Sequence, residues 1–163
     1  MSLYQQLQPF FEWLENSGLG QAAKSYGGVY AMAQSFHLMS LALLGGSVLV
    51  TDLRLLGVVL HDVPSESVAD GAHRWFKVAL TIVILSGIFM VAGVATKAYY
   101  NEFYWAKMIA LVVGIVFVFA IKRPLLRTEH AQLRPWLLKL VAVASITVWF
   151  TVAACGRWIG FSG

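Results

Sequence analysis

The chain has 163 residues, of which 59% are hydrophobic and only 12% are charged, and its mean hydropathy is +0.71. This balance excludes an ordinary soluble globular domain and predicts an integral membrane protein. The formal net charge of +4 does not indicate a nucleic-acid partner, because the basic residues stand at the ends of apolar runs rather than together on one polar face. The single cysteine, Cys155, excludes an internal disulfide and a cysteine-based zinc site.

Residues 1–26 are predicted to form an interfacial segment ahead of the first membrane span. Leucine and phenylalanine recur there at helical spacing beside polar residues, which is the pattern of an amphipathic helix lying in the plane of the interface. Pro9 leaves open whether this is one helix or two short pieces. Glycines between residues 16 and 28 predict a loose connection into the first span. The segment lacks the basic start and continuous apolar run of a signal peptide, so we expect no cleavage.

Four apolar stretches predict membrane-spanning helices. The first holds 23 consecutive uncharged residues, enough for a helix to cross a hydrocarbon core of about 30 Å at about 1.5 Å per residue. A short polar loop, residues 61–72, follows it. The four predicted spans are residues 29–51, 78–96, 103–121 and 136–156.

Local signals predict where these helices begin, end and touch. Asn101 is a predicted N-cap for the third span, and the sequence Lys122-Arg123-Pro124 is predicted to stop it. Pro135 is favourable in the first turn of the fourth span. Gly45-Gly46 and Gly87 predict positions where a neighbouring helix approaches closely.

These segments predict an all-α, polytopic membrane protein with a single integral membrane domain over residues 1–163. Its architecture is a four-transmembrane-helix bundle with an N-terminal interfacial amphipathic helix. Eight lysines and arginines fall on one side of the predicted bundle and four on the other, so the richer side is predicted to be cytoplasmic. In a bacterium the location is then the inner (cell) membrane with both termini periplasmic. A reporter active only in the cytoplasm, fused to Gly163, tests this orientation, and strong activity would contradict it.

His37 is an ionisable residue deep inside a predicted span. Fifteen residues separate it from Asp52 at the end of that span, which is about 22 Å along a helix. Lys107, Met90 and Met108 fall at about the same height in the other spans. Ionisable groups in lipid are costly unless they are paired or functional, so His37 and Lys107 form a candidate site. The alternative is that Lys107 extends to the interface while His37 makes a local hydrogen bond.

The motifs of soluble enzymes are missing from the sequence. It has no Gly-rich phosphate loop, no H-E-x-x-H, no C-x-x-C and no nucleophile-elbow serine. The remaining histidines, His61, His73 and His130, all fall on the predicted cytoplasmic side. Among these three, His73 opens a helix from which its ring can turn into the bundle.

Asp52 and Arg54 end the first span, and we expect them to seat the bundle rather than to perform chemistry. They are two residues apart on a helix and point in different directions, so they cannot pair with each other. We expect basic helix ends to contact Asp52, and acidic residues or lipid phosphate to contact Arg54. The expected partners are Arg74, Lys77 or Arg123 for Asp52, and Glu66 or Asp70 for Arg54.

The first predicted helix carries SFHL, followed by small residues, and ends in TDLRLLG. Over most of its length the chain resembles a family of uncharacterised bacterial four-helix inner-membrane proteins with a His…D-L-R-L-L-G first helix. His37, Arg54 and the lysine of EFYWAKMIAL, Lys107, are more distantly similar to residues of the haem-containing membrane protoporphyrinogen oxidase and copper-resistance D group. That resemblance implies haem b inside the bundle, with His37 as the haem-associated histidine. The surroundings of Arg54 depart from that group, and oxidase activity is not carried over.

Two hypotheses from different functional classes remain open. In the first, the bundle binds haem b with His37 as an iron ligand and exchanges electrons with quinone or another redox partner. Lys107, Met90 or Met108 is then the second ligand, and we expect Ser40 or Thr151 to hold the other ring nitrogen of His37. In the second, the chain is a cofactor-free accessory or structural subunit, or a protein that handles small solutes or metal ions. The lipid bilayer is a partner in both, and both are compatible with homo- or hetero-oligomers.

Overall fold

A computed structural model describes residues 3–25, 27–127 and 135–162. Within these ranges the regular structure is helical, with no strand. Four helices are long and apolar enough to cross a membrane, which confirms the predicted all-α, four-transmembrane-helix architecture. The segments are α1 (Leu3–Asn16), α2 (Gly18–Ser25), α3 (Gly27–Leu56), α4 (Ser65–Gly93), α5 (Ala95–Tyr99), α6 (Glu102–Val116), a π-helical turn (Phe117–Lys122), α7 (Arg123–Arg127) and α8 (Pro135–Ile159).

The spanning helices are longer than the apolar runs that predicted them. α3 continues past the charged end of the first run to Leu56, and α4 already begins at Ser65. The segment 61–72, predicted to be a loop, is therefore non-helical only as far as Pro64. A helical turn that extends beyond the lipid carries charged residues, so hydropathy alone does not distinguish it from a loop.

α1 and α2 cover one end of the bundle. α1 is a single helix through Pro9, and the connection predicted to be loose contains the helix α2. α2 packs along α4, and α1 packs along α5. Phe11 of α1 is buried against the rings of Tyr99 and Trp105, with ring centroids 5.5 and 5.7 Å away. The amphipathic N-terminal segment therefore buries part of its apolar face against the spanning helices.

Glu15 ties this N-terminal segment to the turn after the second span. Its carboxylate lies 2.7 Å from the Lys24 ammonium and accepts the backbone N–H of Thr96 at 2.6 Å. These contacts favour the ionised carboxylate and hold the pKa of Glu15 at about 2, below its ordinary value of 4.5.

α3 and α8 form the centre of the bundle. The most extensive contacts between helices are those of α3 with α4, of α6 with α8, and of α3 with α8. The gap between α4 and the π turn is bridged by the rings of Phe76 and Phe119, whose centroids are 6.1 Å apart. α6 and α8 approach closely where Trp149 lies over Gly114, since a Cβ at that glycine would be 3.2 Å from the indole ring.

The third spanning segment does not stop at Lys122-Arg123-Pro124, so that prediction was wrong. The helix widens into the π turn and continues as α7. Within this turn the backbone N–H of Arg123 donates to the carbonyl of Val118, five residues earlier. A proline inside an α-helix clashes with the carbonyl four residues before it. The wider turn moves that carbonyl aside and lets the helix pass through Pro124.

One predicted helix start is confirmed. The Asn101 side chain accepts the backbone N–H three residues ahead at 3.2 Å. The residues just before Pro135 lie outside the described ranges, so its place in the first turn of the fourth span stays a prediction. The prediction of close-packing glycines is confirmed only in part. A Cβ at Gly87 would lie 3.4 Å from the His37 ring, whereas no atom of the described chain lies within 4 Å of such a Cβ at Gly45-Gly46.

Candidate functional site

The buried polar side chains of α3 form two groups at different depths. His37 and Ser40 lie toward the end covered by α1 and α2, whereas Ser47, Thr51 and Asp52 lie toward the opposite end. The buried side chain of Leu44 lies between the two groups on the same helix. The bundle therefore offers two candidate sites.

His37 is buried between α3 and α4. Its Nδ1 lies 2.9 Å from the Ser86 hydroxyl oxygen, and its ring packs over Gly87. That hydroxyl donates its single proton to the backbone carbonyl of Ile82, 2.6 Å away. With the Ser86 proton directed at that carbonyl, the Ser86 oxygen accepts from His37 Nδ1, and in this assigned tautomer Nε2 carries a lone pair. We call His37, Ser86, Gly87 and Lys107 the His37 site.

The residues expected to contact His37 were wrong, but the kind of group, a hydroxyl, was predicted correctly. The hydroxyl comes from Ser86 on α4 rather than from Ser40 on α3 or Thr151 on α8. The Thr151 hydroxyl instead donates to the carbonyl of Thr147 at 2.9 Å. A sequence contains serines at several suitable depths, and only the rotation of the helices decides which one faces the ring.

Lys107 approaches the same layer from α6. Its side chain lies against α8, with Cε and Nζ each 3.5 Å from the position of a Cβ at Gly156. The ammonium interacts electrostatically with both His37 and Cys155. The two ionisable residues that were predicted at this height therefore lie within electrostatic range of each other.

The two methionines considered as iron ligands lie at the margin of this site. Met90 is on α4, three residues beyond Gly87, and Met108 follows Lys107 on α6; both side chains are partly buried. Their role as ligands stays a prediction.

The other histidines lie away from the His37 site. His73 turns its ring into the bundle, with its centroid 6.3 Å from that of Phe76 and 5.5 Å from that of Phe119. His61 stays in the connection between α3 and α4, where its ring contacts a backbone carbonyl. His130 lies outside the described residues.

A second site lies around Asp52, for which the sequence predicted a basic partner at a helix end but not the right residue. Asp52 is 0% exposed, and its carboxylate lies 2.6 Å from Nζ of Lys122, which is itself only 5% exposed. The hydroxyl of Ser145 on α8 lies 3.4 Å from the same nitrogen and is fully buried. We call Asp52, Lys122 and Ser145 the Asp52 site. The predicted partners of Asp52, which were Arg74, Lys77 or Arg123, were wrong.

The π turn explains why Lys122 points inward. Gly114, Val118, Lys122 and Leu126 are four residues apart, and all are buried. Side chains four residues apart on an α-helix overshoot a full turn by about 40° and drift around the helix. A π turn has more residues per turn, so it reverses this drift and returns Lys122 to the buried face. The four-residue spacing was the available signal, but the adjacent Arg123-Pro124 indicated a helix end instead.

Arg54 also has partners different from those predicted. Its guanidinium donates to the backbone carbonyls of Val63 at 2.8 Å and His61 at 3.3 Å. The expected acidic partners, Glu66 and Asp70, do not take part in these bonds. Arg54 therefore holds the connection between α3 and α4 against the end of α3.

A cavity of about 50 Å³ lies between α3, α4 and the π turn, directly beside Lys122. Its polar lining consists of hydroxyl, imidazole, carboxylate and basic side chains, namely Ser47, Thr51, Glu66, Asp70, His73, Lys122 and Arg123. Glu66 and Asp70 are exposed, so they mark the mouth of the cavity, while Lys122 is at its buried end. Of the Asp52 site, Lys122 lines this cavity, whereas Asp52 and Ser145 do not.

A family model described as a family of unknown function, DUF6644, matches residues 10–162, so the chain belongs to that family. No curated protein and no solved structure matches the chain. Membership of this family agrees with the resemblance to uncharacterised proteins, and it does not bear on the more distant resemblance to haem proteins. The function must therefore be argued from the two sites themselves.

Proposed function

We propose that this member of a family of unknown function is a haem b-binding membrane protein that takes part in electron transfer, in which His37 would hold the haem iron. The observation that supports the proposal is the 2.9 Å contact between His37 Nδ1 and the Ser86 hydroxyl. Histidine ligands almost always donate their second ring N–H to an oxygen, which fixes the tautomer and the ring orientation. Ser86 provides that oxygen, and Nε2 is the nitrogen available to iron.

The donor atoms at the His37 site fit a haem better than a metal ion held by the protein alone. Among residues 3–25, 27–127 and 135–162, no three His, Cys, Asp or Glu side chains are placed to hold a metal ion. A haem brings most of the ligands of its iron and needs few from the protein. His37 would hold the haem iron, with Lys107, Met90 or Met108 as the second residue to do so. When bound, the haem would supply one-electron exchange with a quinone or another redox partner.

The surrounding residues have separate tasks under this proposal. Ser86 holds the His37 ring in one tautomer, and Gly87 leaves space for the ring against α4. Lys107 in its charged form places a positive charge near His37, which favours the reduced state of an iron centre because that state carries less positive charge. The four spanning helices make the protein a multi-pass membrane protein. Its place in the bacterial inner membrane and its periplasmic termini are part of the proposal.

The test is an absorption spectrum of protein expressed with a haem precursor and purified in detergent. We expect a Soret band that shifts between the oxidised and reduced states. His37→Ala should abolish the band without reducing expression or membrane insertion, because the apolar spans do not depend on this ring. His61→Ala is the matched control, since it removes a histidine from a connection rather than from the bundle, and it should keep the band.

Further variants distinguish the proposed iron ligand, His37, from the residues around it. Ser86→Ala should retain haem and change the reduction potential or the band position. It removes the hydrogen bond that fixes the tautomer of His37 but leaves His37 itself in place. Lys107→Met and Met90→Leu should also shift the band or potential without full loss of haem. Wild-type protein without a Soret band, or His37→Ala protein with an unchanged band, would contradict the proposal and favour the cofactor-free class.

A further inference from the structure

We propose that the Asp52 site binds and releases a proton that arrives from water through the polar cavity beside Lys122. The proposal concerns a part of the bundle about 22 Å along α3 from His37, because fifteen residues separate the two side chains. It does not depend on haem at the His37 site.

Stability alone does not account for this ion pair. Asp52 and Lys122 are both almost fully removed from solvent. The desolvation of two charges commonly offsets their attraction, and apolar replacements of a buried pair are often equally stable. The π turn that brings Lys122 to Asp52 is a type of helix irregularity found frequently at functional sites. Ionisable groups inside membrane proteins often belong to proton pathways.

Asp52 can be satisfied in both protonation states. As a carboxylate it pairs with the Lys122 ammonium at 2.6 Å. The hydroxyl of Ser145 is within hydrogen-bonding reach of the same carboxylate and donates to it. As a carboxylic acid, Asp52 would instead donate its O–H to the Ser145 oxygen. Ser145 therefore has a hydrogen bond to Asp52 in both protonation states.

Lys122 can also be satisfied after the pair breaks. Its side chain lines the cavity, so a rotation of its flexible stem carries the ammonium toward water. Glu66 and Asp70 at the mouth supply opposite charge for the displaced ammonium. The remaining charged or titratable groups on the cavity wall are His73 and Arg123, which come from α4 and α7.

The step is balanced in atoms and charge. The Lys122 ammonium passes one proton to the carboxylate of Asp52, and the resulting amine takes a proton from a hydronium ion in the cavity, which leaves as water. The ion pair with Lys122 then opens, the new O–H donates to Ser145, and the site gains one positive charge. Release follows the same route in reverse, when Lys122 returns and the proton leaves to water.

An infrared titration of the protein in lipid bilayers tests this inference. We expect a carboxylic-acid C=O band that grows on acidification and is lost in Asp52→Asn. Glu66→Gln is the matched control, because it removes an exposed carboxylate and should leave that band in place. Asp52→Glu should shift the band rather than abolish it, which keeps the test decisive if Asp52→Asn fails to fold. The band should move promptly on transfer to D₂O, as expected of a proton that exchanges with water by way of Lys122 and the cavity.

The route is tested by filling the cavity. Thr51→Leu adds apolar volume to the lining without touching the ion pair, and it should slow the deuterium exchange of the Asp52 band several-fold while leaving the band present. A titration without an Asp52-dependent band, over the full pH range in which the protein stays folded, would overturn the proton site. A band that exchanges slowly in the wild type, or at the same rate in Thr51→Leu, would overturn the cavity as its route. A missing Soret band would contradict only the proposed function at His37.

Discussion

Lys122→Met should destabilise the bundle more than any substitution of a charged residue at its surface. The substitution keeps most of the side-chain volume but leaves the carboxylate of Asp52, which is 0% exposed, without the ammonium now 2.6 Å away. Removing one partner of such a buried pair costs about 3–5 kcal/mol. Ser145 can donate one hydrogen bond to the stranded carboxylate, which offsets only a part of this cost.

Removing the charge of the other partner, Asp52, should cost less, because Lys122 and Asp52 have different surroundings. In Asp52→Asn the orphaned Lys122 ammonium still lines the cavity and can turn toward water. We expect about 1–3 kcal/mol for this change, the range for an unsatisfied buried polar contact. In the double variant Asp52→Leu/Lys122→Met no charge is left buried. Its cost should therefore be well below the sum of the two single changes.

The assay is reversible unfolding in mixed detergent micelles, followed by the fluorescence of the six tryptophans. Glu66→Gln serves as the control, since it is exposed at the cavity mouth and should change stability by no more than about 0.5 kcal/mol. Equal effects of Lys122→Met and Glu66→Gln, or strictly additive costs in the double variant, would refute the reasoning that Asp52 and Lys122 form one buried unit.

Three further outcomes are expected. Glu15→Gln should cost roughly 1–2 kcal/mol at neutral pH, after allowance for the exposure of Lys24. The folded-state pKa of Glu15 lies at about 2 rather than at its ordinary value of 4.5. The wild-type protein therefore has its full stability advantage over Glu15→Gln at pH values above 4.5. It should disappear as the pH falls toward 2, as measured by unfolding of both proteins across that range. Gly114→Leu should cost about 1–3 kcal/mol by forcing Trp149 away from α6, and unchanged thermal unfolding would contradict this packing. Asn101→Ala should cost about 1 kcal/mol through the lost N-cap of α6, and an effect no larger than that of a surface alanine substitution would argue against the cap.

Hydropathy by itself was sufficient to predict four spanning helices. The requirement that a helix satisfy its own backbone in lipid makes an uncharged run of about 20 residues a local and specific signal. The same logic predicted that His37 lies at depth and that Lys107 stands at a similar height. The helix start at Asn101 was also predictable, because capping depends on residues next to one another in the chain.

What required the tertiary structure was the identity of each partner across the bundle. His37 meets Ser86 rather than Ser40, because the rotation of α4 against α3 decides which hydroxyl faces the ring. Asp52 and Lys122 are far apart in the chain and meet only because the π turn corrects the drift of the buried face of the third span. Depth in the membrane follows from counting along one helix, whereas contact depends on the packing of several helices at once. The sequence therefore predicted which residues lie at similar depth, but it did not predict that Asp52 pairs with Lys122.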